Sequence, residues 1–135
     1  LFDRNNLYNQ RTICMCLLSF AGFLRSKELI NIKRSDVSFF NDYVEIFIES
    51  SKTDVYRDGT RVIIARVSSD LCPVNNFEIY LSLAGIQDNS QDYVFCAVTR
   101  TENGFKLRNC SKPLSYTRVR EIFIEAFTGI VANLT

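Results

Sequence analysis

The residue whose type and position most clearly suggest chemistry is Arg25, in the run "GFLRSKEL" at residues 22–29. An apolar helix is predicted to end there and a second helix to begin. Unpaired backbone N–H groups make a helix start electropositive, so a cation at that place costs about 0.3–1 kcal/mol. The same N–H groups and a guanidinium together bind a phosphate or another oxyanion well. The position therefore predicts an oxyanion site, although a surface ion pair between Arg25 and Glu28 also fits the spacing.

A second cation, Lys52, lies in the polar stretch "SSKTDVYRDG", just after a predicted strand. Taken alone, Lys52 is a solvated loop residue. Four further cations lie nearby in the sequence, and each of them on its own would serve solubility: Lys33, Arg34, Arg57 and Arg61. These residues indicate a function only when they are considered together.

The composition excludes several classes of site. The chain has 135 residues and no His, so it offers neither a His-based mechanism nor a mixed Cys/His zinc site. Its five cysteines form no CxxC pair and lie in apolar stretches, which predicts buried free thiols in a reducing compartment. No phosphate-cradling Gly loop, nucleophile elbow or paired-carboxylate signature occurs, and we expect no metal and no cofactor.

Charge and hydropathy narrow the possible partners. The chain has 16 Lys and Arg against 15 Asp and Glu, so nucleic acid would have to bind through a local basic patch. No apolar run reaches the roughly 20 residues that a membrane span needs. The first residues, "LFDRNNLYNQ", lack the layout of a signal peptide. We therefore expect an intracellular protein that does not bind a membrane.

The elements that must position these cations form one α+β domain with a small sheet on one side. Periodicity and capping residues predict helices at 7–21, from Ser26 as N-cap, at 73–84, and along the apolar stripe from Val119 to Ile130. Strands are predicted at 37–40, 43–49 and 60–67, which would form a three-stranded antiparallel meander. Residues 92–98 fit either a short strand or a buried extended segment, and residues 99–113 are predicted to be a loop.

Taken in order, these pieces resemble the catalytic domain of tyrosine recombinases of the phage-integrase type, and in particular the transposon-encoded recombinases of animal genomes. The resemblance rests on "GFLRSKELINIKRSDV", a strand pair, then "SKTD" and "RVIIARV", and it extends from about Leu7 to the chain end. The motifs are a small or apolar residue-x-x-Arg-x-x-Glu-Leu, an acidic residue entering the first strand, and a Lys between the second and third strands. Their order and spacing support the resemblance more than any single motif.

The resemblance implies a metal-independent reaction in which a tyrosine attacks a DNA phosphodiester, leaving a 3′-phosphotyrosine and a free 5′-hydroxyl. Arg25 would be the first of two arginines that hold the non-bridging oxygens, and Lys52 would be the general acid toward the 5′-oxygen. Glu28 would orient this region without reacting. The candidate DNA-binding residues would then be the remaining cations of the segment, Lys33, Arg34, Arg57 and Arg61. The implied partner is double-stranded DNA, bound in the nucleus by a homo-oligomer of the full-length protein.

One part of the family pattern is missing. The family continues with a His-x-x-Arg box, a further His or Trp, and the nucleophilic Tyr, whereas this chain has no His and stops at "FTGIVANLT". Tyr116 is the most tempting nucleophile, but it begins the helix before the missing box. Tyr43 and Tyr80 lie in regular elements, so we assign no nucleophile. We expect residues 1–135 to be a single partial catalytic domain that does not cleave DNA by itself.

Two alternatives stay open at this point. One is a non-enzymatic DNA-binding or protein-interaction module derived from a recombinase, and the other is a generic α+β binding domain. If the family interpretation is right, Arg25 and Lys52 should converge on one concave basic surface. Apolar surface should also remain uncovered near Phe123 and Phe127, because in the family further helices complete this core.

Overall fold

Apart from one hairpin, helices and strands follow each other in the order that the sequence predicts. A computed structural model describes residues 6–49 and 59–134. The elements are α1 (Leu7–Gly22), α2 (Ser26–Ile30), a 3₁₀ turn (Arg34–Asp36), β1 (Val37–Phe39), β2 (Tyr43–Ile48), β3 (Thr60–Ala65), α3 (Pro73–Ala84), β4 (Ala97–Thr101), β5 (Gly104–Arg108) and α4 (Tyr116–Leu134). The first three strands form an antiparallel sheet in the order β1-β2-β3, and β4 and β5 form a separate hairpin. The predicted α+β class with a three-stranded sheet is confirmed.

Helix α1 ends where its last turn approaches the sheet. Phe23 follows it in the left-handed conformation, with φ of 54°, and donates its backbone N–H to the Ser19 carbonyl. Gly22 has a packing role, because a Cβ there would lie 3.1 Å from Ile64 Cδ1 and 3.2 Å from Val62 Cγ1. The predicted stop at Gly22 is right, and the close approach of α1 to β3 explains why the last helical residue is glycine.

Helix α2 is shorter than the sequence predicts, with 5 residues, and its N-cap differs from the prediction. The N-cap is Arg25 and not Ser26, so the predicted Ser26 cap is wrong. The buried residues of this segment, Leu29, Ile30 and Ile32, are the predicted ones, although Ile32 lies beyond the helix. The burial of these three side chains therefore fixes this segment more than the short helix does.

The strand alternation separates core from surface. β2 buries Val44, Ile46 and Ile48 on one face. Its antiparallel register with β3 places Ile64 opposite Val44 and Val62 opposite Ile46, so the apolar face continues across the sheet. Helix α1 packs against this face, where it contacts β3. The face turned away from α1 mixes two charged residues with apolar ones, namely Glu45 and Arg61 with Tyr43, Phe47, Ile63 and Ala65.

The largest difference from the sequence prediction is the hairpin. Residues 99–113 are predicted to be a loop, but β4 pairs with β5 in antiparallel register, so that prediction is wrong. Gly104 has φ of 131° at the turn, a conformation that favours glycine. Phe105 and Leu107 pack against the core from β5. Two alternating apolar residues among charged ones are too short a pattern to separate a strand from a loop.

The segment 92–98, predicted to be either a short strand or a buried extended segment, becomes a strand only at Ala97. Tyr93 pairs with Lys33 as an isolated β-bridge. The next three residues are buried, with bends at Val94 and Phe95, and β4 begins after them. This segment therefore joins the region after α2 to the hairpin.

All five cysteines are free, as predicted, although they are not equally buried. Three are buried and two are half-buried: Cys14, Cys72 and Cys96, and Cys16 and Cys110, respectively. Burial raises the pKa of the Cys14 thiol well above its usual range, which keeps it protonated and unreactive. None of the helices in the described ranges is long and apolar enough to cross a membrane.

The loop between β2 and β3 returns to the sheet through Gly59, and this glycine cannot be replaced without cost. Its φ is +73°, and a Cβ there would lie 2.6 Å from Phe47 Cζ and 2.8 Å from the Ile48 carbonyl oxygen. We predict that Gly59→Ala lowers the free energy of unfolding by about 2–4 kcal/mol, because backbone strain and overpacking add. Chemical denaturation measures it.

Gly85 provides the matched control for this prediction. Its φ is +71°, almost the same as that of Gly59, but nothing lies within 4 Å of the position that a Cβ would occupy. Gly85→Ala should therefore cost only the strain of the left-handed backbone, about 1 kcal/mol. Equal losses in the two variants would show that the contact with Phe47 does not constrain the loop.

Candidate functional site

Arg25 occupies the junction between α1 and α2 with an exposed side chain. Its backbone is extended, with φ of −77° and ψ of 157°, as an N-cap residue requires. Among residues 6–49 and 59–134, no carboxylate forms an ion pair with its guanidinium. The five donors of this guanidinium are thus free of any described acidic partner.

Glu28 contacts the backbone of Arg25 and not its side chain. Its Oε1 accepts a hydrogen bond from the Arg25 N–H at 2.9 Å. This is the reciprocal half of a capping box, in which the acid of the first turn reaches back to the N-cap backbone. The contact fixes the backbone from which the guanidinium projects and leaves that guanidinium unneutralised. The surface ion pair that the spacing allowed is replaced by this backbone contact.

A groove lies beside the Arg25 junction because α2 packs against α4. Its volume is about 470 Å³, and it is lined by one residue of α2 and five of α4: Ser26, Tyr116, Arg120, Phe123, Ile124 and Phe127. Arg120 is exposed and adds a second cation next to the start of α2. The sequence alone does not point to Arg120, because a charged residue on an amphipathic helix gives no sign of which neighbour it faces.

The apolar part of this groove agrees with the expected uncovered surface. Val119 and Ile122 are buried, and Phe123 packs partly against the core. Further along α4, Phe127 is 68% exposed and Ile124 is also exposed. The apolar residues of α4 are therefore covered in its first two turns and exposed at Ile124 and Phe127, as predicted near Phe127.

The tyrosines divide clearly by environment. Tyr80 is fully buried and donates its hydroxyl to the Val94 carbonyl, and burial raises its pKa well above the usual range. Tyr43 stacks on Phe40, with ring centroids 4.6 Å apart. Both contacts belong to packing, as predicted. Tyr116 is exposed at the start of α4 and lines the groove.

Lys33 and Arg34 are tied to the segment that follows α3. Lys33 caps the 3₁₀ turn, where its N–H donates to Asp36 Oδ2 at 3.0 Å, and its Nζ lies 5.4 Å from the Tyr93 ring centroid. Arg34 Nη1 donates to the Val37 carbonyl at 2.8 Å. These contacts hold both side chains partly buried. Each side chain thus has a structural contact. The structure does not test whether they also bind DNA, so that assignment stays a prediction.

Arg61 lies on the sheet face that is turned away from the core. It stands opposite Phe47 in the β2–β3 register and forms a salt bridge of 2.9 Å with Glu45. Arg57 and Lys52 lie outside the described residues. The predicted convergence of Arg25 and Lys52 on one surface therefore stays a prediction.

A further cationic cluster that the sequence did not single out lies on the other flank of α4. It consists of Arg11 of α1, Arg118 of α4 and the Tyr8 ring between them, with the guanidinium carbons 5.1 Å and 5.9 Å from the ring centroid. The signal that could have found it is a charged residue, Arg11, within the otherwise uncharged helix α1. Among the described residues, no group of three or more His, Cys, Asp or Glu side chains could hold a metal ion.

Comparison with known proteins identifies a distant relative. No protein-family model matches the chain. The integrase/recombinase xerD homolog of Selenomonas ruminantium is 31% identical to it over 110 residues. The match covers 81% of this chain and 30% of that protein, so the chain spans less than a third of the relative's length. The α+β fold and this similarity together show that the chain is distantly homologous to XerD-like tyrosine integrases and recombinases.

Proposed function

We propose that this chain is part of the catalytic domain of a tyrosine recombinase and that it binds double-stranded DNA through the phosphate backbone at Arg25. The observation that best supports the proposal is the geometry of Arg25. Its backbone is fixed by Glu28, its guanidinium is exposed, and no described carboxylate neutralises it. Such an exposed guanidinium without an acidic partner suits a phosphate, whose oxygens it can contact in a bidentate manner.

In the proposed reaction Arg25 holds non-bridging oxygens of the scissile phosphate, where negative charge increases in the transition state. Lys52 donates a proton to the departing 5′-oxygen. A tyrosine attacks phosphorus, and the P–O bond to the 5′-oxygen breaks, so the phosphate becomes a 3′-phosphotyrosine. We assign neither this tyrosine nor the second arginine to a residue of the chain. Integration and recombination are thus proposed for the whole protein, and residues 1–135 alone are not expected to cleave DNA.

Arg120 gives a second reason to propose DNA binding at this surface. It lines the groove beside Ser26, which is the residue after Arg25. Two cations and the Ser26 hydroxyl would meet a phosphate backbone that crosses the junction of α2 and α4. Phosphate contacts of this kind position a protein on DNA without selecting sequence. This surface is therefore proposed to orient the duplex, and target selection must come from other contacts.

A second candidate is a non-enzymatic module that kept the fold and binds DNA or a protein. The observation that favours it is the exposed apolar stretch of α4 at Ile124 and Phe127, beside Arg120 in the same groove. An apolar surface rimmed by charge is typical of a protein contact. The two candidates differ in whether the full-length protein forms a covalent tyrosine–DNA adduct with nicked duplex substrates.

We predict that Arg25→Gln lowers affinity for a double-stranded oligonucleotide about threefold to tenfold at low salt and reduces the slope of log K against log salt by about 1. The reason is the loss of one phosphate contact and its released counterion. Fluorescence anisotropy over a salt series measures both quantities. Wild-type binding itself should be weak and strongly salt-dependent, because the net charge is only +1.

Arg100→Gln is the matched control for this prediction. Arg100 is an exposed arginine on β4, away from the junction of α1 and α2, so its loss changes the net charge by the same amount. An equal loss of affinity in both variants would show that bulk charge and not the Arg25 site attracts DNA. Tight, salt-insensitive binding by the wild-type chain would also contradict the proposal.

We predict that Glu28 acts through its backbone contact with Arg25. Glu28→Gln keeps an oxygen that can accept the Arg25 N–H, so DNA affinity should be retained or slightly increased. Glu28→Ala removes the acceptor, which should lower the free energy of unfolding by about 0.5–2 kcal/mol and also lower DNA affinity. Denaturation and anisotropy on the same samples measure the two effects. If Glu28→Gln loses affinity as much as Glu28→Ala does, the charge of Glu28 matters and the positioning role is wrong.

A further inference from the structure

A cleft with cations and no acids in its lining lies between α1, the β4–β5 hairpin and the start of α4. Its volume is about 690 Å³, within the range of small-molecule sites. Four of its lining residues are cationic, namely Arg11, Arg108, Lys112 and Arg118, and no Asp or Glu lines it. Because the net charge of the chain is only +1, this is a local concentration of positive charge.

Arg11 lies at the floor of this cleft and is only 1% exposed. Its Nη1 donates to the Cys96 carbonyl at 2.9 Å, whereas its Nε and Nη2 are buried and find no hydrogen-bond partner among the described residues. Burial lowers the pKa of Arg11, and the nearby charge of Arg118 lowers it further. A buried guanidinium with open donors is costly unless an anion pairs with it. The floor of the cleft is thus short of one negative partner.

Arg118 is held in place from outside the cleft. Its Nη2 donates to the Tyr8 hydroxyl at 2.9 Å, and its Nη1 pairs with Glu121 at 3.1 Å and Glu125 at 3.5 Å. These acids are exposed and do not line the cleft. They orient Arg118 and reduce its charge in part, but they do not reach the open donors of Arg11. The walls are completed by Ser115 and by the apolar side chains of Ala97, Val98 and Leu114.

We propose that this cleft binds a small molecule bearing a phosphate-class oxyanion. The oxyanion would pair with the open donors of Arg11, and Arg108 and Lys112 at the exposed rim would close on it. Guanidinium and ammonium groups around a site without acids favour a multiply charged oxyanion over a neutral ligand. The apolar wall leaves room for an organic group attached to the phosphate. Because Nε and Nη2 of Arg11 expose almost no surface, an oxyanion must displace neighbouring side chains of the floor to reach them, which a small ligand can do and a duplex backbone cannot.

The cleft is separate from the DNA surface proposed at Arg25. Arg118 faces the cleft, whereas Arg120 lines the groove beside Ser26. Residues two apart on a helix do not share a face, so the two sites lie on different flanks of α4. The inference therefore does not depend on DNA binding, and either proposal can fail without the other.

The test uses the full 135-residue chain with inorganic phosphate and inorganic pyrophosphate as probes, and with chloride at equal ionic strength as the reference. Thermal melting and isothermal titration calorimetry should show a saturable rise in the melting temperature and one binding site per chain, with pyrophosphate binding more tightly. Arg108→Gln and Lys112→Gln should each weaken the Kd for pyrophosphate about tenfold. Arg11→Met should abolish the response while leaving the melting temperature without probe equal or higher.

Arg100→Gln is again the matched control, because Arg100 and Arg108 are both exposed arginines of the same hairpin and only Arg108 lines the cleft. It should leave pyrophosphate binding unchanged. No response to either probe, or equal weakening by Arg100→Gln and Arg108→Gln, would overturn the site. A double-stranded oligonucleotide that displaces pyrophosphate from the wild type would assign the anion to DNA and overturn the small-molecule ligand. If Arg11→Met fails to fold, the two rim variants decide the question.

Discussion

Helix α1 contacts each of the other layers, and its burial is the constraint on which the rest of the structure depends. It packs on α3, on α2, on α4, on β3 of the sheet and on β5 of the hairpin. Its C-terminal end approaches the sheet so closely that a Cβ at Gly22 would lie only 3.1 Å from Ile64 Cδ1 and 3.2 Å from Val62 Cγ1. Near its N-terminal end, Gln10 is buried and donates to the carbonyl and side-chain oxygens of Asn76 at 3.2 and 3.0 Å. A helix held at both ends by specific contacts cannot rotate or slide without losing several of them.

This position of α1 determines where both candidate sites lie. Its C-terminal end leads the chain to Arg25, so the surface proposed to bind DNA takes its orientation from the contact between Gly22 and β3. Its N-terminal half brings Arg11 under the hairpin, where the Cys96 carbonyl accepts a hydrogen bond from one of its five N–H donors. Helix α4 forms one side of both sites, and it places Arg120 in one and Arg118 in the other. The two sites are thus coupled to one core, although they face different directions.

The positions of the charged residues say more about possible ligands than the net charge does. A net charge of +1 gives no general attraction for DNA or for any other anion. Several arginines are neutralised locally, such as Arg61 by Glu45 and Arg66 by Glu78. No described carboxylate pairs with Arg25 or Arg11, and the same holds for Arg34, Arg100, Arg108 and Arg120. Arg25 is exposed and can contact a phosphate backbone, and Arg11 is buried and can pair only with a small anion.

The sequence by itself determined the local elements of this protein. The apolar periodicity of α1, α3 and α4 and the alternation of the three sheet strands depend on neighbours along the chain, and a pattern in the sequence records them. The same is true of the position of Arg25 at a helix start. The hairpin was missed because Phe105 and Leu107 are too few to form a pattern, and they become strand residues only by pairing with β4 and packing against the core.

Only the tertiary structure decided which charged residues remain without partners. Glu28 is close enough in sequence to pair with the Arg25 side chain, but its carboxylate accepts the backbone N–H. Arg11 is 85 residues from the Cys96 carbonyl that it contacts and 107 residues from Arg118, which shares the Tyr8 ring with it. Ion pairing and desolvation depend on distances in space over a few ångströms. Sequence spacing does not contain those distances, so the cleft became visible only when the helices and the hairpin were packed together.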